Sequence, residues 1–380
     1  MDHNLDNLDT KIKLPRSFSY IGSKLKLLEW LAECISDYTK LELNQIKSFA
    51  DIFSGTGVVG YYMMQRGIKN VLSNDLQYYA YIVSSVYTNK DIDIPKIKKL
   101  IDDFNNLRNT DVNDNCFIYN NYSPAGNRSY FTKENALKID KTRQKISDLL
   151  KENLITGNEF KLLLKILLYA STKVGNISST WGAYLKTFKE TAKKELYLDP
   201  SIVDLLLCDP NLNHVGSNLN VLDLNNLDYE IIYIDSPYNA RVYSTNYHVL
   251  EVISKYNAPE IKGITGLLSN NNRESKLFCS KTNVTNSFIS LFTNLKANCK
   301  FRYVFVSYSS DSLISKIEFI ALLGNYFTDV ICYEKQYKRF KSNNNTKTDK
   351  NIIEYLFSCK YENNNENNNE NNNENNKQNK

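Results

Sequence analysis

Asp235-Ser236-Pro237-Tyr238 closes an apolar run, Ile231 to Ile234, of the kind that forms a strand buried on both faces. Pro237 has no N–H and a fixed φ, so it cannot continue a central strand, and it pushes Ser236 into an extended conformation. The expected product is an acceptor carboxylate (Asp235), an acceptor carbonyl (Ser236) and a flat ring (Tyr238) at the carboxyl end of a strand. Such a set suits a planar base that carries an exocyclic amino group. The same four residues also read as a strand ending in a turn with an Asp cap.

A second stretch is built to hold an anion. Phe49–Phe53 is a short buried-strand pattern, Ser54-Gly55-Thr56-Gly57 follows, and Val58–Arg66 reads as a helix. A strand, a tight glycine loop and a helix leave free backbone N–H groups at a positive helix end, a cradle for a phosphate or a carboxylate. No Gly-Lys-Ser/Thr follows, so it is not the nucleotide P-loop. It is not G-x-G-x-x-G either, although Gly60 lies three residues past Gly57. An ordinary strand–helix turn is the alternative. Asn70–Asp75 reads as the next strand and ends in an acid 24 positions after Asp51. Dinucleotide folds place a ribose-binding acid near that offset; the alternative is an N-cap for a helix at Leu76–Thr88.

These pieces need a frame. Residues 1–15 read as a loosely attached, flexible arm. Phe18-Ser19-Tyr20-Ile21-Gly22-Ser23-Lys24 opens an amphipathic helix at Leu25–Ser36, with Leu27, Leu28, Leu31 and Ile35 on one face. Residues 90–215 change character: charge rises, and helical patterns run over Lys133–Glu152 and Glu159–Thr172. Lys161, Lys165, Lys173, Lys186, Lys189, Lys193 and Lys194 are interleaved with Tyr169, Trp181, Tyr184 and Phe188. That is the make-up of an inserted nucleic-acid-binding subdomain or of a solvated helical lid. Further strands are expected at Val221–Asp223, Ile231–Ile234, Phe301–Ser307, Asp329–Glu334 and Ile352–Phe357, and a helix at Val249–Lys255. The last two strands suggest an antiparallel hairpin at a sheet edge, joined by a basic-aromatic loop over Tyr337–Asn345. From Glu362 the chain repeats ENNN, which cannot form a core and is expected to be disordered.

Composition narrows the function classes. The chain has 380 residues, 42% hydrophobic and 23% charged, enough for one large domain with an insertion or for two domains. The formal charge is +5, and Glu362, Glu366, Glu370 and Glu374 lie in the tail, so the body is more basic and fits a polyanionic partner. Seven scattered cysteines without a CxxC, and three histidines, argue against zinc and for reduced thiols. No apolar run reaches membrane-spanning length, and the polar start shows no signal peptide.

In their order, the motifs resemble those of the Dam-like (alpha-group) adenine-specific DNA methyltransferases over roughly residues 16–360. Tyr20-Ile21-Gly22-Ser23-Lys24 is similar to the family's N-terminal motif, and Asp51-Ile52-Phe53-Ser54-Gly55-Thr56-Gly57 to its cofactor loop, D-x-F-x-G-x-G. Asp75 and Asp223 resemble the acids ending the second and third strands. Asp235-Ser236-Pro237-Tyr238 resembles the catalytic D-P-P-Y, and Asn239–His248 the loop on the substrate side. Ser236 departs from the family's proline, keeping the backbone carbonyl but not the locked φ.

The resemblance implies an α/β, Rossmann-like methyltransferase fold, with a mostly parallel sheet and an antiparallel edge hairpin. The catalytic domain would comprise 16–89 and 216–361, with 90–215 an inserted, mainly helical target-recognition subdomain and 362–380 a tail. S-adenosyl-L-methionine would be the methyl donor, with no metal and no covalent intermediate. Gly55 and Gly57 would let the backbone approach it, and Asp75 would hold its ribose. Lys24, with the Gly22-Ser23 turn, would meet the methionine carboxylate, and Asp51 would orient the loop or meet the ammonium. Tyr20, Phe53 and Asp223 would complete the cofactor site. Asp235, Ser236, Pro237 and Tyr238 would hold a flipped adenine of double-stranded DNA. The implied protein is a cytoplasmic, nucleoid-associated monomer, paired with a cognate restriction endonuclease that acts separately. The alternatives are an RNA or other nucleic-acid methyltransferase, or a DNA-binding relative weakened in transfer.

Overall fold

The computed structural model describes residues 22–108, 112–238, 240, 242–269, 273–338 and 351–361. The readings for the 1–15 arm, Tyr20, Asn239, Arg241, most of the basic-aromatic loop and the 362–380 tail fall outside the described residues.

Seven strands make one sheet: β1 (Ser48–Asp51), β2 (Asn70–Asn74), β3 (Asn213–Ser217), β4 (Ile231–Ile234), β5 (Tyr303–Ser309), β6 (Thr328–Lys338) and β7 (Asn351–Lys360). Their order is β3-β2-β1-β4-β5-β7-β6. The first five are parallel to their neighbours, and β7 runs antiparallel between β5 and β6. The expected edge hairpin is therefore present, with its second strand inserted next to β5. Parallel neighbours need crossovers, which cover both faces of the sheet.

Alternation along each strand sorts residues between those faces. Phe49, Ile231, Tyr233 and Phe305 point to one side, against Leu31 and Ile35 of the helix Leu28–Thr39 and Val59 and Met63 of the helix Val58–Gln65. Ala50, Ile232, Ile234, Val304 and Val306 point to the other, against Phe288, Leu291 and Leu295 of the helix Val284–Asn298. Each large side chain buried this way contributes roughly 1.5–3 kcal/mol. That driving force is why the apolar runs read from the sequence became central strands.

Two expectations are corrected. Val221–Asp223 is a single 3₁₀ turn, not a strand. Asn220 starts it by accepting the Leu222 N–H at 3.1 Å. The third strand is β3, whose Asn-His-Val-Gly-Ser has no apolar pattern, because it lies at the sheet edge with no fully buried residue. The expected boundary at 215/216 therefore cuts through β3.

The helical unit holds the helices Ile94–Asn105, Phe117–Tyr122, Lys133–Lys151 and Gly157–Val174. It shares one apolar core with the helices Tyr78–Ser84 and His248–Lys255, so it is fused to the sheet layer. Three residues expected on its nucleic-acid face lie in that core: Lys165 is 6% exposed, Tyr169 6% and Trp181 1%. Lys165 donates to the Val86 carbonyl at 3.0 Å, and burial lowers its ammonium to about 7. Lys186, Lys193 and Lys194 remain exposed. No helix among the described residues is long and apolar enough to cross a membrane.

Candidate active site

Strand register brings three acids to one edge of the sheet. Asp51 ends β1 level with Ser73 of β2 and Tyr233 of β4. Asp75 and Asp235 each lie two residues beyond that row. Because these strands are parallel, all three carboxylates stand at the carboxyl ends, where open α/β sheets bind ligands. They line one cleft together with Gly22, Lys24, Phe53, Gly55, Ser236, Pro237 and Tyr238.

The glycine loop is shaped by local bonds. The Ser54 N–H donates to the Asn74 carbonyl at 2.8 Å, and the Gly57 N–H to the Ser54 carbonyl at 2.7 Å. Gly57 has φ +76°, and a Cβ there would stand 1.8 Å from the Tyr87 hydroxyl. That hydroxyl donates to the Gly57 carbonyl. Glycine is thus required on two counts, backbone conformation and space. Asp75 closes the loop from the other side, its Oδ2 accepting the Gly55 N–H at 2.9 Å and its Oδ1 the Gln77 N–H at 2.8 Å.

Asp51 is 1% exposed. Its Oδ1 has no hydrogen-bond partner among the described residues. Burial, and then the neighbouring Asp235, hold its carboxyl well above the usual range. An unpartnered buried carboxylate oxygen in a cleft is a strong acceptor awaiting a donor or a cation.

Lys24 lines the same cleft and reaches the tetrapeptide. Its ammonium is 2.9 Å from Asp235 Oδ1, with Lys24 at 2% and Asp235 at 18% exposure. It also lies 5.1 Å from the centre of the Tyr238 ring. Burial pulls the ammonium down, but Asp235, Tyr238 and Glu354 outweigh it and hold it above its ordinary value. Asp235 itself is raised, because burial outweighs the attraction of Lys24. Lys24 is therefore a partner of the tetrapeptide; the expectation gave it, with the Gly22-Ser23 turn, the methionine carboxylate.

Tyr238 is held at its edge by Tyr308, with ring centres 6.2 Å apart, and its carbonyl accepts the Leu313 N–H at 3.1 Å. Ser236 is 1% exposed, and its hydroxyl has no partner among the described residues. Asp223, expected in the cofactor site, is exposed and is not among the residues lining the cleft. The 3₁₀ turn ends there, and Asn220 and Val221 at its start face the cleft instead.

Sequence reading missed several residues here. Asn74, fully buried, donates to the Ile52 and Leu219 carbonyls at 3.2 and 3.1 Å, binding together the loops after β1 and β3. Glu354, 7% exposed on β7, adds a second carboxylate to the surroundings of Lys24. Its signal was a lone acid inside an apolar strand run. Gln77 and Phe278 also line the cleft, and only their neighbours in space reveal them, while Tyr243 of the expected substrate-side loop lines it too.

Comparison with known proteins finds relatives over most of the chain. The family model described as D12 class N6 adenine-specific DNA methyltransferase matches residues 20–321. The type II methyltransferase M.NlaIII of Neisseria lactamica is 33% identical over 347 residues, covering 89% of this chain and 98% of that protein. M.CviAII of Paramecium bursaria Chlorella virus 1 is 35% identical over 346 residues, 89% of this chain and 97% of its own. M.FokI of Planomicrobium okeanokoites is 36% identical over 352 residues, and the chain spans only 52% of its length.

Proposed function

The chain belongs to the D12 class of N6 adenine-specific DNA methyltransferases, and from that premise we propose that the cleft binds S-adenosyl-L-methionine beside a flipped adenine of duplex DNA. The observation that carries this is the single cleft shared by the glycine loop, Asp51, Asp75, Asp235 and Tyr238. The donor fits the residues present: Asp51 Oδ1, buried and unpartnered among the described residues, would accept its ammonium, and Asp75 its ribose hydroxyls. When bound, it supplies an electrophilic methyl group.

The chain's own residues do the rest by position. An adenine within a duplex cannot reach the cleft, so it must leave the stack. Tyr238 would stack on the extruded ring, a contact of roughly 1–3 kcal/mol. Asp235 and the Ser236 carbonyl would accept the two amino hydrogens and draw the nitrogen lone pair out of conjugation. Lys24 keeps the Asp235 carboxylate aimed and offsets part of the burial that disfavours its charge. No base need remove the proton first, because it becomes acidic only once the nitrogen is alkylated. Catalysis is then orientation and electrostatics. Exposed lysines such as Lys186, Lys193 and Lys194 would meet phosphates, which set register and affinity. A separately acting endonuclease of the same specificity would complete a restriction–modification pair. Single-molecule sequencing of DNA from a host that expresses the chain tests the proposal. N6-methyladenine at one defined site is expected, and unmodified DNA overturns it.

Asp75 gives a pH prediction. Burial raises its carboxyl to about 6, so it loses charge, and its capacity to accept two hydroxyls, as the pH falls through that value. Calorimetry should show donor affinity weakening below about pH 6. Asp75→Asn should bind more weakly, with that pH dependence gone. Linkage to folding has the other sign. A carboxyl raised from 3.8 to about 6 contributes stability at low pH that is lost as the pH rises through about 6. Asp75→Asn removes that titration, but its amide NH2 faces the Gly55 or Gln77 N–H in place of an acceptor, so the melting temperature at pH 7.5 should fall modestly. An affinity profile shared by both proteins would remove Asp75 from the ribose role.

Ser236→Pro is expected to keep the acceptor carbonyl and to lose the Ser236 N–H together with a hydroxyl that makes no bond among the described residues. Transfer should be equal or modestly faster, with a gain of about 0.4–1 kcal/mol from the stiffer unfolded chain. Single-turnover methylation and melting curves decide it. A large drop in rate at unchanged stability would give the serine a role of its own.

A further inference from the structure

Between Tyr243 and Phe278, which both line the cleft, the chain forms a small ribbon of Ile261–Lys262 against Leu267–Leu268. Its turn is Gly263-Ile264-Thr265-Gly266. Every carbonyl of that turn is met by a side chain from outside the ribbon. Arg128 donates Nη2 to the Gly263 oxygen at 3.0 Å and Nε to the Ile264 oxygen at 3.2 Å. The Tyr130 hydroxyl donates to the Thr265 oxygen at 3.1 Å, and His248 Nε2 lies 3.0 Å from the same atom. The Tyr122 hydroxyl donates to the Gly266 oxygen at 2.7 Å. Tyr122, Tyr130 and His248 are all 0% exposed. Through its other nitrogen, His248 lies 2.9 Å from the carbonyl of Thr245, in the short helix that begins with Tyr243.

The side chain presented by this framework is Ile264, 83% exposed. Exposure alone decides nothing, since Ile317 is 82% exposed at the start of a helix, and single surface aliphatics are ordinary. The difference lies in the support. A turn held only by its own ribbon would open readily. Here buried groups fix its backbone and tie it to the cleft wall. Arg128 and the exposed Lys262 flank it with positive charge, which suits a phosphate backbone.

We infer that Ile264 is a wedge that enters the duplex beside the target base pair and holds the stack open while the adenine occupies the cleft. The inference rests on the DNA methyltransferase reading above. Apolar side chains inserted between base steps lower the cost of unstacking, and a rigid tip loses little entropy in doing so.

The test uses the full chain and the duplex site found by sequencing, with 2-aminopurine in place of the target adenine as a reporter of extrusion. A second duplex keeps adenine but places an abasic site opposite it. Ile264→Ala should lose most of the fluorescence rise and slow single-turnover methylation of the intact duplex roughly tenfold or more. It should act at close to the native rate on the abasic duplex, where the base is already unpaired. Ile264→Leu should restore both signals. Melting temperature and donor affinity should not change. An Ile264→Ala protein that matches the native one on the intact duplex overturns the wedge, as does one equally slow on both duplexes. A native chain that methylates neither duplex overturns the methyltransferase reading itself.

Discussion

Asp235→Asn is expected to cut single-turnover methylation by a factor on the order of 10²–10³ while leaving donor affinity nearly unchanged. That is the usual cost of removing one preorganised group from a transition state. An asparagine of the same shape still fills the site, but it offers one neutral acceptor and turns a donor toward either Lys24 or the amino group of the base. The substitution is chosen over alanine because of the 2.9 Å pair with a nearly buried Lys24. Alanine would leave that ammonium without its carboxylate, a loss of about 3–5 kcal/mol that would confuse folding with catalysis. Parallel calorimetry and melting curves accompany the rate measurement. Equal losses of rate and donor affinity would mean that Asp235 serves the loop rather than the target base.

The second large effect belongs to the glycine loop. Gly57→Ala places a Cβ 1.8 Å from the Tyr87 hydroxyl and 2.8 Å from Ser84 Cβ, at φ +76°. The left-handed backbone costs roughly 1–2 kcal/mol and the overpacking roughly 1–3 kcal/mol. Urea unfolding should therefore show a loss of roughly 2–5 kcal/mol, and donor binding should weaken with it as the loop shifts. Adding Tyr87→Phe removes the colliding hydroxyl and should recover part of the stability, so the two changes should not add. A Gly57→Ala protein as stable as the native one, with unchanged donor affinity, would show that the loop relaxes freely and has no preformed shape.

Legibility followed burial. The runs Ile231–Ile234 and Phe49–Phe53 were readable because strands covered on both faces are continuously apolar, and here they became β4 and, as far as Asp51, β1. The edge hairpin was readable from the two strand runs that close the chain, Asp329–Glu334 and Ile352–Phe357. β3 was not: an edge strand that buries no residue fully leaves no periodic trace, so the apolar pattern points instead to the neighbouring Val221–Asp223. The helical unit was legible as helices but not as a surface. Interleaved lysines and aromatics look alike whether they face water or a core, and Lys165, Tyr169 and Trp181 face the core.

By itself, the sequence determined the chemistry available: which residues end in carboxylates, where glycine permits a tight loop, and where proline ends a strand. Those properties are local, and their order along the chain was enough to indicate the family. Tertiary structure alone decided which charges meet. Lys24 lies 211 positions before Asp235, and nothing in either neighbourhood signals their ion pair. The pair exists because the approach to the first helix passes the carboxyl end of β4. Likewise the turn that presents Ile264 is made rigid by Tyr122, Arg128, Tyr130 and His248, which come from two other parts of the chain. Contacts between segments distant in sequence carry no periodicity, so they become visible only once the sheet and its covering helices have brought those segments together.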